Sequence, residues 1–399
     1  MDSIQISDRI KNMAASQTLA MSQKSSELRA AGIDIINLSV GEPDFNTPEH
    51  IKEAAKKAID ENHTHYPPVP GYMDLRQAIA DKLTRENGLG YTADRIVVSA
   101  GAKHSLSNVL LSVINPGDEV IIPTPAWVSY VEMVKLAGGE NVLVPATIEQ
   151  DFKITPAQLE AAITPRTRMV MLCSPSNPSG SVYSREELQG LVDVLVKHPE
   201  VMVLSDEIYE HINYTGSFTS MGSFSEIADR VIIVNGVSKA YAMTGWRIGF
   251  MAGPLAVAKA VTKLQGQTTS GISTIAQRAA LAAYAGPQKC VEEMREAFER
   301  RRDLVVRLAS EIPGLKVNRP DGAFYLFPEV SAYLGRRYGD RVIETDNDLC
   351  MYLLEEGHVA TVSGSAFCLP GYIRLSYAAA DEALVEAFGR IKEALAKLS

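Results

Sequence analysis

The sequence predicts an α/β fold in which a mostly parallel sheet of seven strands is flanked by helices. Between residues 95 and 252, short apolar runs alternate with helix-like segments, and the runs are almost continuously apolar. Strands buried on both faces of a parallel sheet have this pattern, and the intervening helices form the crossover connections. The predicted strands lie at 96–98, 120–122, 142–144, 169–172, 201–204, 231–234 and 248–251.

Crossover helices are predicted at 103–114, 127–137 and 184–198. The last of these begins with Ser184, and Glu187 follows three residues later. This spacing is typical of a capping box, in which each side chain accepts a hydrogen bond from the other residue's backbone.

Beyond Pro287 the pattern changes to a smaller α+β unit. A long charged helix is predicted over 290–312, where Pro313-Gly314 ends it. Short strands and further helices follow at 324–327, 346–356, 373–376 and 381–397. We therefore expect a large domain over residues 47–295 and a small domain formed by residues 1–46 and 296–399.

Composition argues against several classes of partner. The 399-residue chain has a net charge of −9, whereas nucleic-acid binding requires a basic face. No apolar run approaches the roughly 20 residues of a membrane span, and no signal peptide is visible. Four widely spaced cysteines without a C-x-x-C pair favour a reduced protein of the cytoplasm. No metal site is expected, because no carboxylate or cysteine stands at a ligand spacing from His63 and His65.

Reactive side chains follow the ends of the predicted strands. Asn177, Asp206, Tyr209 and Lys239 each come after an apolar run, and ligands bind at the carboxyl ends of parallel strands. Lys239 lies among small residues, where a partly deprotonated amine could form an imine with an aldehyde. An isolated lysine would more often be a surface residue, so this prediction depends on the whole segment 236–249.

The neighbours of Lys239 also have ordinary structural explanations. Asp206 would pair with the nitrogen of a pyridine ring, but Asp is a common helix N-cap and Glu207 is a rival carboxylate. Asp206 is preferred because the apolar run ends at Leu204. Tyr209 would donate to a phenolic oxygen on that ring, or would simply pack in a helix. Asn177 would donate to the same oxygen and to a substrate carboxylate, or would form an Asn-Pro turn.

Two cationic features predict the binding of anions. The turn at 101–103 follows a strand and opens a helix, so its amides and the helix dipole favour a phosphate, to which Arg247 adds a planar guanidinium. Arg374 lies inside an apolar strand, where either a substrate carboxylate or an intramolecular salt bridge would explain it. Trp127 follows another strand and would stack on a cofactor ring or belong to the core.

These segments together resemble the class I and II aminotransferases of fold type I over essentially the whole chain. The similarity is greatest to the bacterial and plastid aspartate aminotransferases, a subgroup that includes prephenate aminotransferases. The motifs that carry the resemblance are Gly41-Glu42-Pro43-Asp44-Phe45, Tyr66-Pro67-Pro68, Ser176-Asn177-Pro178-Ser179-Gly180, Ser205-Asp206-Glu207-Ile208-Tyr209-Glu210, the Lys239 segment and Ile373-Arg374-Leu375-Ser376-Tyr377.

The resemblance implies pyridoxal 5′-phosphate as the cofactor, with Lys239 as the catalytic Schiff-base residue. It also implies a homodimer in which Tyr66 reaches the cofactor phosphate of the neighbouring subunit. The implied cofactor-binding residues are Gly101, Ala102, Lys103, Trp127, Asn177, Asp206, Tyr209, Ser238, Lys239, Arg247 and Tyr66. The implied substrate-binding residues are Gly41, Trp127, Asn177, Arg374, Lys103, Ser16 and Thr18.

Substrate choice is predicted from the subgroup that this chain resembles. That subgroup binds the distal carboxylate through a lysine after the Gly-Ala turn, here Lys103, assisted by Ser16 and Thr18. Lys103 could instead be a solvated residue at the start of a helix. Ala14 stands where the subgroup often has a basic residue, which predicts weaker binding of a larger dicarboxylate such as prephenate. Gly236 replaces a serine that is frequent in the family, so phosphate binding would depend more on Arg247 and on amides.

The predicted reaction is a ping-pong transfer of the amino group between L-aspartate and 2-oxoglutarate, giving oxaloacetate and L-glutamate. Its partners are therefore small amino acids and 2-oxo acids. The alternatives are a prephenate, aromatic or alanine aminotransferase of the same fold, or a C–S β-lyase. A cofactor-sensing domain of a transcription regulator is disfavoured, because the motifs start by Gly41 and leave no room for a basic DNA-binding module.

Overall fold

The computed structural model describes residues 4–15 and 17–399. Its helices are α1 (Asp8–Lys11), α2 (Gln17–Ala30), α3 (Glu49–Asp60), α4 (Met73–Asn87), α5 (Ala102–Val113), α6 (Ser129–Ala137), α7 (Pro156–Ala162), α8 (Arg185–Leu195), α9 (Leu255–Thr268), α10 (Thr274–Ala285), α11 (Lys289–Ser310), α12 (Asp346–Glu356) and α13 (Asp381–Ala396). Its strands are β1 (Ile36–Asn37), β2 (Ile96–Ser99), β3 (Glu119–Thr124), β4 (Glu140–Pro145), β5 (Thr167–Cys173), β6 (Met202–Asp206), β7 (Val231–Gly236), β8 (Gly249–Ala252), β9 (Tyr325–Leu326), β10 (Arg337–Tyr338), β11 (Arg341–Val342), β12 (Val359–Ala360), β13 (Val362–Ser363) and β14 (Ile373–Ser376).

The central sheet contains seven strands within the described residues, in the order β2-β8-β7-β6-β5-β3-β4. Each strand coincides with one of the seven apolar runs, so the predicted fold class is confirmed. The pairs from β7 through to β4 are parallel, whereas β8 runs antiparallel to both of its neighbours, β2 and β7. Because β8 is an internal strand covered on both faces, its apolar sequence gave no indication of its direction.

Two hydrophobic clusters cover the two faces of this sheet. Alternate residues of a strand point to opposite faces, so in β7 the side chains of Ile233 and Val231 join one cluster and those of Ile232 and Val234 join the other. All four are fully buried. This double burial explains why the strands are continuously apolar.

The helices begin and end close to the predicted positions. Ser184 caps α8 and forms a capping box with Glu187, as the spacing predicts. The helix ends at Leu195 rather than at His198. His198 precedes Pro199, and a residue before proline is disfavoured in helical conformation, so the last turn does not form.

The C-terminal unit has its own hydrophobic cluster, which also contains residues from the N-terminal segment. Ile35 and Leu38 pack into it, and β1 pairs in parallel with β12 through Ile36 and Val359. Tyr209 and Phe298 belong to the same cluster, so the two units share a continuous boundary. The exact division at residues 46 and 295 stays a prediction.

Candidate active site

A cavity of about 400 Å³ lies where the carboxyl ends of the central strands meet the C-terminal unit. Its walls contain most of the residues predicted from the sequence. Asp206 ends β6, Lys239 follows β7, Trp127 follows β3, and Ala102 begins α5 after β2. The predicted residues that line it are Thr18, Gly41, Ala102, Lys103, Trp127, Asn177, Asp206, Tyr209, Ser238, Lys239, Arg247 and Arg374.

Lys239 projects into this cavity as a cation in a largely apolar environment. Its Nζ donates a hydrogen bond to the carbonyl oxygen of Gly41 at 2.5 Å. Burial lowers the pKa of Lys239 to about 8, helped by the charges of Arg374 and Arg247 and opposed by Glu42 and Asp206. A much larger fraction of the amine is therefore neutral, and nucleophilic, near neutral pH than in a solvated lysine, although the cation still predominates.

Asp206 supplies the carboxylate at the floor of the cavity. Its Oδ2 accepts a hydrogen bond from the hydroxyl of Tyr130 at 2.6 Å, and its Oδ1 accepts one from the backbone N–H of Ile208 at 3.2 Å. Burial raises the pKa of Asp206 to about 6, although both hydrogen bonds and the charge of Lys239 oppose the shift. Asp206 is therefore mostly ionised at neutral pH.

Glu207, the rival carboxylate, does not belong to the cavity wall. Its Oε1 accepts hydrogen bonds from Ser205, Ser220 and the backbone N–H of Met221. Burial and the nearby Glu210 raise its pKa to about 8. Since alternate residues point to opposite sides at the strand end, only Asp206 of this pair faces the cavity.

Arg374 is a buried cation, 2% exposed, in the wall opposite the sheet. Its Nη1 donates to Asn177 Oδ1 at 3.0 Å and its Nη2 donates to the Ser39 carbonyl at 2.6 Å. The Nε has no hydrogen-bond partner among the described residues. Burial lowers the pKa of Arg374, and the nearby groups that oppose this shift are Tyr325 and Tyr209, neither of which is a carboxylate. Arg374 therefore has no salt-bridge partner within residues 4–15 and 17–399, and an anionic ligand would supply the missing charge.

Tyr209 lies between the amine and the small unit. Its hydroxyl is 2.8 Å from that of Tyr325, and Lys239 Nζ lies 5.9 Å from the centre of its ring. Burial raises the pKa of Tyr209 well above its ordinary value. The phenol therefore stays protonated and can donate a hydrogen bond into the cavity.

The start of α5 forms a cradle suited to an anion. Gly101, with φ of 88°, is the N-cap, and a Cβ at that position would collide with the Arg247 guanidinium. Arg247 has left-handed backbone, with φ of 59°, which is costly for a residue other than glycine. Its Nη1 and Nη2 donate to the carbonyls of Thr244 and Ala100, at 2.8 and 3.3 Å. Free helix amides and a guanidinium thus converge at one end of the cavity.

Lys103 and Trp127 form one side wall. The Lys103 Nζ lies 4.7 Å from the centre of the Trp127 ring. Burial and the charge of Arg247 lower the pKa of Lys103 below its usual value. Thr18 lines the same side, at the start of α2, whereas Ser16 lies outside the described residues.

Tyr66 does not lie in this wall. Its side chain is 95% exposed, and it does not touch the cavity of its own chain. A tyrosine that contributes to a partner's site would have this exposure in a single chain, so the proposed role of Tyr66 stays a prediction.

Sequence reasoning missed seven polar residues of the wall, namely Ser22, Ser39, Glu42, Tyr130, Cys173, Thr244 and Tyr325. A weak signal existed for Tyr130, which stands three residues after Trp127 and therefore next to it on one side of the chain. Cys173 ends β5 beside Asp206. Tyr325 comes from a distant part of the sequence and gave no local signal.

A separate cluster of Glu86, Glu210 and His211 brings three potential ligand atoms together. Its centre is taken by the buried ammonium of Lys82, which pairs with Glu210 and lies 3.5 Å from Glu86. This cluster is therefore an ion-pair network that holds α4 to the segment after β6. Elsewhere, no helix of the described residues combines the length and the apolar character needed to cross a membrane.

Known proteins resemble this chain along its full length. The aspartate/prephenate aminotransferase of Cereibacter sphaeroides is 49% identical, over 99% of each chain. The aspartate aminotransferase of Geobacillus stearothermophilus is 47% identical, over 97% of this chain and 98% of the relative. The crystal structure of the aspartate aminotransferase from Rhizobium meliloti superposes with a TM-score of 0.96 at 46% identity, and covers 100% of both chains. The family model for aminotransferase class I and II matches residues 33–390. The predicted family is thereby confirmed, and the protein belongs to the class I and II aminotransferases.

Proposed function

We propose that the protein is a pyridoxal 5′-phosphate-dependent aminotransferase that exchanges the amino group between L-aspartate and 2-oxoglutarate. One observation carries this proposal: a single cavity holds an amine of lowered pKa, an ionised buried carboxylate and a buried arginine to which the described part of the chain offers no acidic partner. The relatives described above are named as aspartate or aspartate/prephenate aminotransferases, which supports aspartate as the substrate.

The residues present fit the cofactor. Its phosphate would take the cradle at the start of α5, with Arg247 and Ser238 beside it. Its ring would lie against Trp127, with Asp206 at the ring nitrogen and Tyr209 at the phenolic oxygen. When bound, pyridoxal phosphate supplies an aldehyde that links to amines and a ring that withdraws electrons from the adjacent carbon.

Each neighbouring residue then has a task in binding or proton transfer. Asn177 and Arg374 hold the α-carboxylate, because the Arg374 fork is buried and short of acceptors. Lys239, once its amine is free, would take the proton from the substrate Cα and hold it for return. Its lowered pKa suits this exchange, since a base close to neutrality both accepts and returns a proton.

Lys103 is proposed to bind the distal carboxylate of aspartate or 2-oxoglutarate. It lies against Trp127 at the cavity wall, where no described residue offers a carboxylate that raises its pKa. A short dicarboxylate would bring that charge. Prephenate is the second candidate substrate, because several relatives are named for both activities.

Two statements about the whole molecule belong to the same proposal. The exposed Tyr66 supports a homodimer in which each subunit completes the other's site. The four cysteines are free, which supports a reducing compartment such as the cytoplasm.

A half-reaction survey tests the reaction. The protein loaded with pyridoxal phosphate is mixed with single amino acids, without any 2-oxo acid, and the conversion of the cofactor to its pyridoxamine form is followed by absorbance. Aspartate and glutamate should convert it at least about tenfold faster than alanine or phenylalanine. Pyruvate and ammonia from cystathionine would instead favour the lyase, and failure of borohydride to fix the cofactor on Lys239 would refute the proposal.

Lys103→Gln tests the substrate assignment. The exchange should lower kcat/KM for aspartate by about 10- to 100-fold, because a charge-assisted hydrogen bond contributes about 1.5–3 kcal/mol. The value for alanine, which has no distal carboxylate, should change little. Equal losses for both substrates would contradict the role of Lys103 in choosing a dicarboxylate.

A further inference from the structure

The carboxylate of Asp206 has a side-chain hydrogen-bond donor that no sequence motif identified. Tyr130 is the second residue of α6 and is 2% exposed. Its hydroxyl donates a hydrogen bond to Asp206 Oδ2 at 2.6 Å. The ring of Tyr130 is also held edge-on to that of Trp127, with the ring centres 5.5 Å apart. The same side chain thus contacts the wall proposed to stack on the cofactor and the acid proposed to pair with it.

The other polar groups that face Asp206 are engaged elsewhere. The Cys173 thiol, on the neighbouring β5, donates to the Pro175 carbonyl at 3.3 Å. The Lys239 ammonium, in the segment after β7, donates to Gly41. Among the described residues, Tyr130 is therefore the side chain that donates to this carboxylate, and Oδ1 is left with the N–H of Ile208.

We propose that Tyr130 is a positioning residue that keeps Asp206 ionised and oriented towards the ring nitrogen of the cofactor. The inference rests on the proposed function and deepens it. A buried carboxylate that takes up a proton can no longer stabilise a protonated pyridine ring, so the hydroxyl protects the charge on which that pairing depends.

The direction of the effect follows from the opposing contributions to the acidity of Asp206. Burial raises its pKa to about 6, and the hydrogen bond from Tyr130 is the largest contribution in the other direction. Removal of the hydroxyl therefore raises the pKa further. Near and just above pH 6 the variant would carry more protonated, uncharged Asp206 than the natural protein, and would bind a cationic ring more weakly there.

The test compares Tyr130→Phe with the natural protein in binding pyridoxamine 5′-phosphate, which has no aldehyde to link to Lys239. The dissociation constant is measured by calorimetry from about pH 5 to about pH 8. The quantity compared is the dissociation constant of Tyr130→Phe divided by that of the natural protein. Because both proteins bind the same ligand, the titration of the ligand itself cancels in this ratio. This ratio should rise about tenfold as the pH falls, since the loss of a hydrogen bond to a charged group is expected to change the proton equilibrium of Asp206 about tenfold.

Tyr352→Phe is the matched control, because it removes another buried tyrosine hydroxyl, one that donates to the Ala394 carbonyl far from the cavity. The dissociation constant of Tyr352→Phe divided by that of the natural protein should not depend on pH. In an Asp206→Asn background, Tyr130→Phe should also give a ratio independent of pH, because the amide does not titrate in this range.

The outcomes separate the two proposals. A Tyr130→Phe ratio that is constant with pH, or that rises equally in the Asp206→Asn background, overturns the role of Tyr130. A natural protein that binds neither pyridoxamine phosphate nor pyridoxal phosphate overturns the proposed function instead. Thermal unfolding of each variant without ligand shows whether the exchange has damaged the fold.

Discussion

Lys239 illustrates how one side chain acquires its reactivity from its surroundings. Burial and four charged neighbours act on its protonation in opposite directions, and the result is a pKa of about 8. Burial is the largest contribution, because the cavity removes water from the ammonium. A solvated lysine would be almost fully protonated at neutral pH, and the cavity is therefore what makes the amine available.

This lowered pKa predicts the pH dependence of cofactor attachment. Only the neutral amine attacks an aldehyde, so the rate at which the cofactor-free protein becomes covalently loaded should rise with pH and level off just above about pH 8. An unperturbed lysine would give a rate that continues to rise towards about pH 10. Stopped-flow absorbance measures this rate. If the rate continued to rise beyond about pH 9, the pKa of Lys239 would not be lowered, and the prediction would be wrong.

Arg374 should bind the carboxylate that all amino-acid substrates share. Arg374→Lys keeps the charge but loses the planar fork that contacts Asn177 and Ser39. We expect kcat/KM to fall about 10- to 100-fold for aspartate and alanine alike, in contrast with the selective loss expected for Lys103→Gln. Arg390→Lys is the control and should be neutral, because Arg390 pairs with Asp34 and Glu386 and does not line the cavity. A loss confined to aspartate would contradict this role.

At the scale of elements, the anion cradle depends on how closely β8 approaches the start of α5. Gly249 begins β8, and a Cβ on it would overlap the backbone nitrogen of Ala102. The absence of a side chain at Gly249 thus allows the helix amides to face the cavity next to Arg247. Gly236 lies opposite, and a Cβ there would be 2.7 Å from the Ile248 carbonyl oxygen, so a serine does not fit this backbone.

Gly249→Ala is therefore expected to displace the N-terminus of α5. Because the obstruction is backbone rather than a mobile side chain, the added methyl should weaken binding of pyridoxamine phosphate at least about tenfold and destabilise the fold by about 1–3 kcal/mol. Gly245→Ala is the matched control, since no atom lies within 4 Å of the added Cβ. Calorimetry and urea unfolding measure both effects, and equal behaviour of the two variants would contradict the steric argument.

The elements themselves were largely predictable, and the exceptions have physical causes. Seven apolar runs became the seven central strands, because strands covered on both faces must be apolar throughout. The direction of β8 was not predictable, since an antiparallel strand in the same buried position has the same composition. Helix α8 ends at Leu195 rather than at the predicted residue 198, because Pro199 disfavours the helical conformation of the residue before it.

At the scale of the whole molecule, the cavity is assembled from segments far apart in sequence. The carbonyl of Gly41, near the N-terminus, accepts from Lys239, and Arg374, near the C-terminus, donates to Asn177. The N-terminal segment joins the C-terminal unit through β1 and β12. Movement of that unit would therefore carry Gly41 and Arg374 together over the substrate and would exclude water.

The proposed dimer predicts complementation between two inactive or weakened subunits. Tyr66→Phe should lower the affinity for pyridoxal phosphate about tenfold, as expected for a lost hydrogen bond to a charged group. In a hybrid with Lys239→Ala subunits, one site receives both Lys239 and the partner's intact tyrosine, so normal affinity should return at that site. Analytical ultracentrifugation establishes the dimer, and a monomer, or hybrids without recovery, would contradict the arrangement.

The sequence alone determined the family and the seven strands of the sheet, though not the direction of β8, and it predicted most of the residues that line the cavity, because each of these leaves a local pattern: an apolar run or a motif after a strand. The structure places Asp206 rather than Glu207 in the cavity wall, as the end of the apolar run favours. Tertiary structure alone decided that Tyr130 donates to Asp206 and that Arg374 has no acidic partner among the described residues. These properties depend on burial and on contacts between residues distant in sequence. Burial and such contacts also set the acidity of Lys239 and Asp206, and they exist only once the chain has folded.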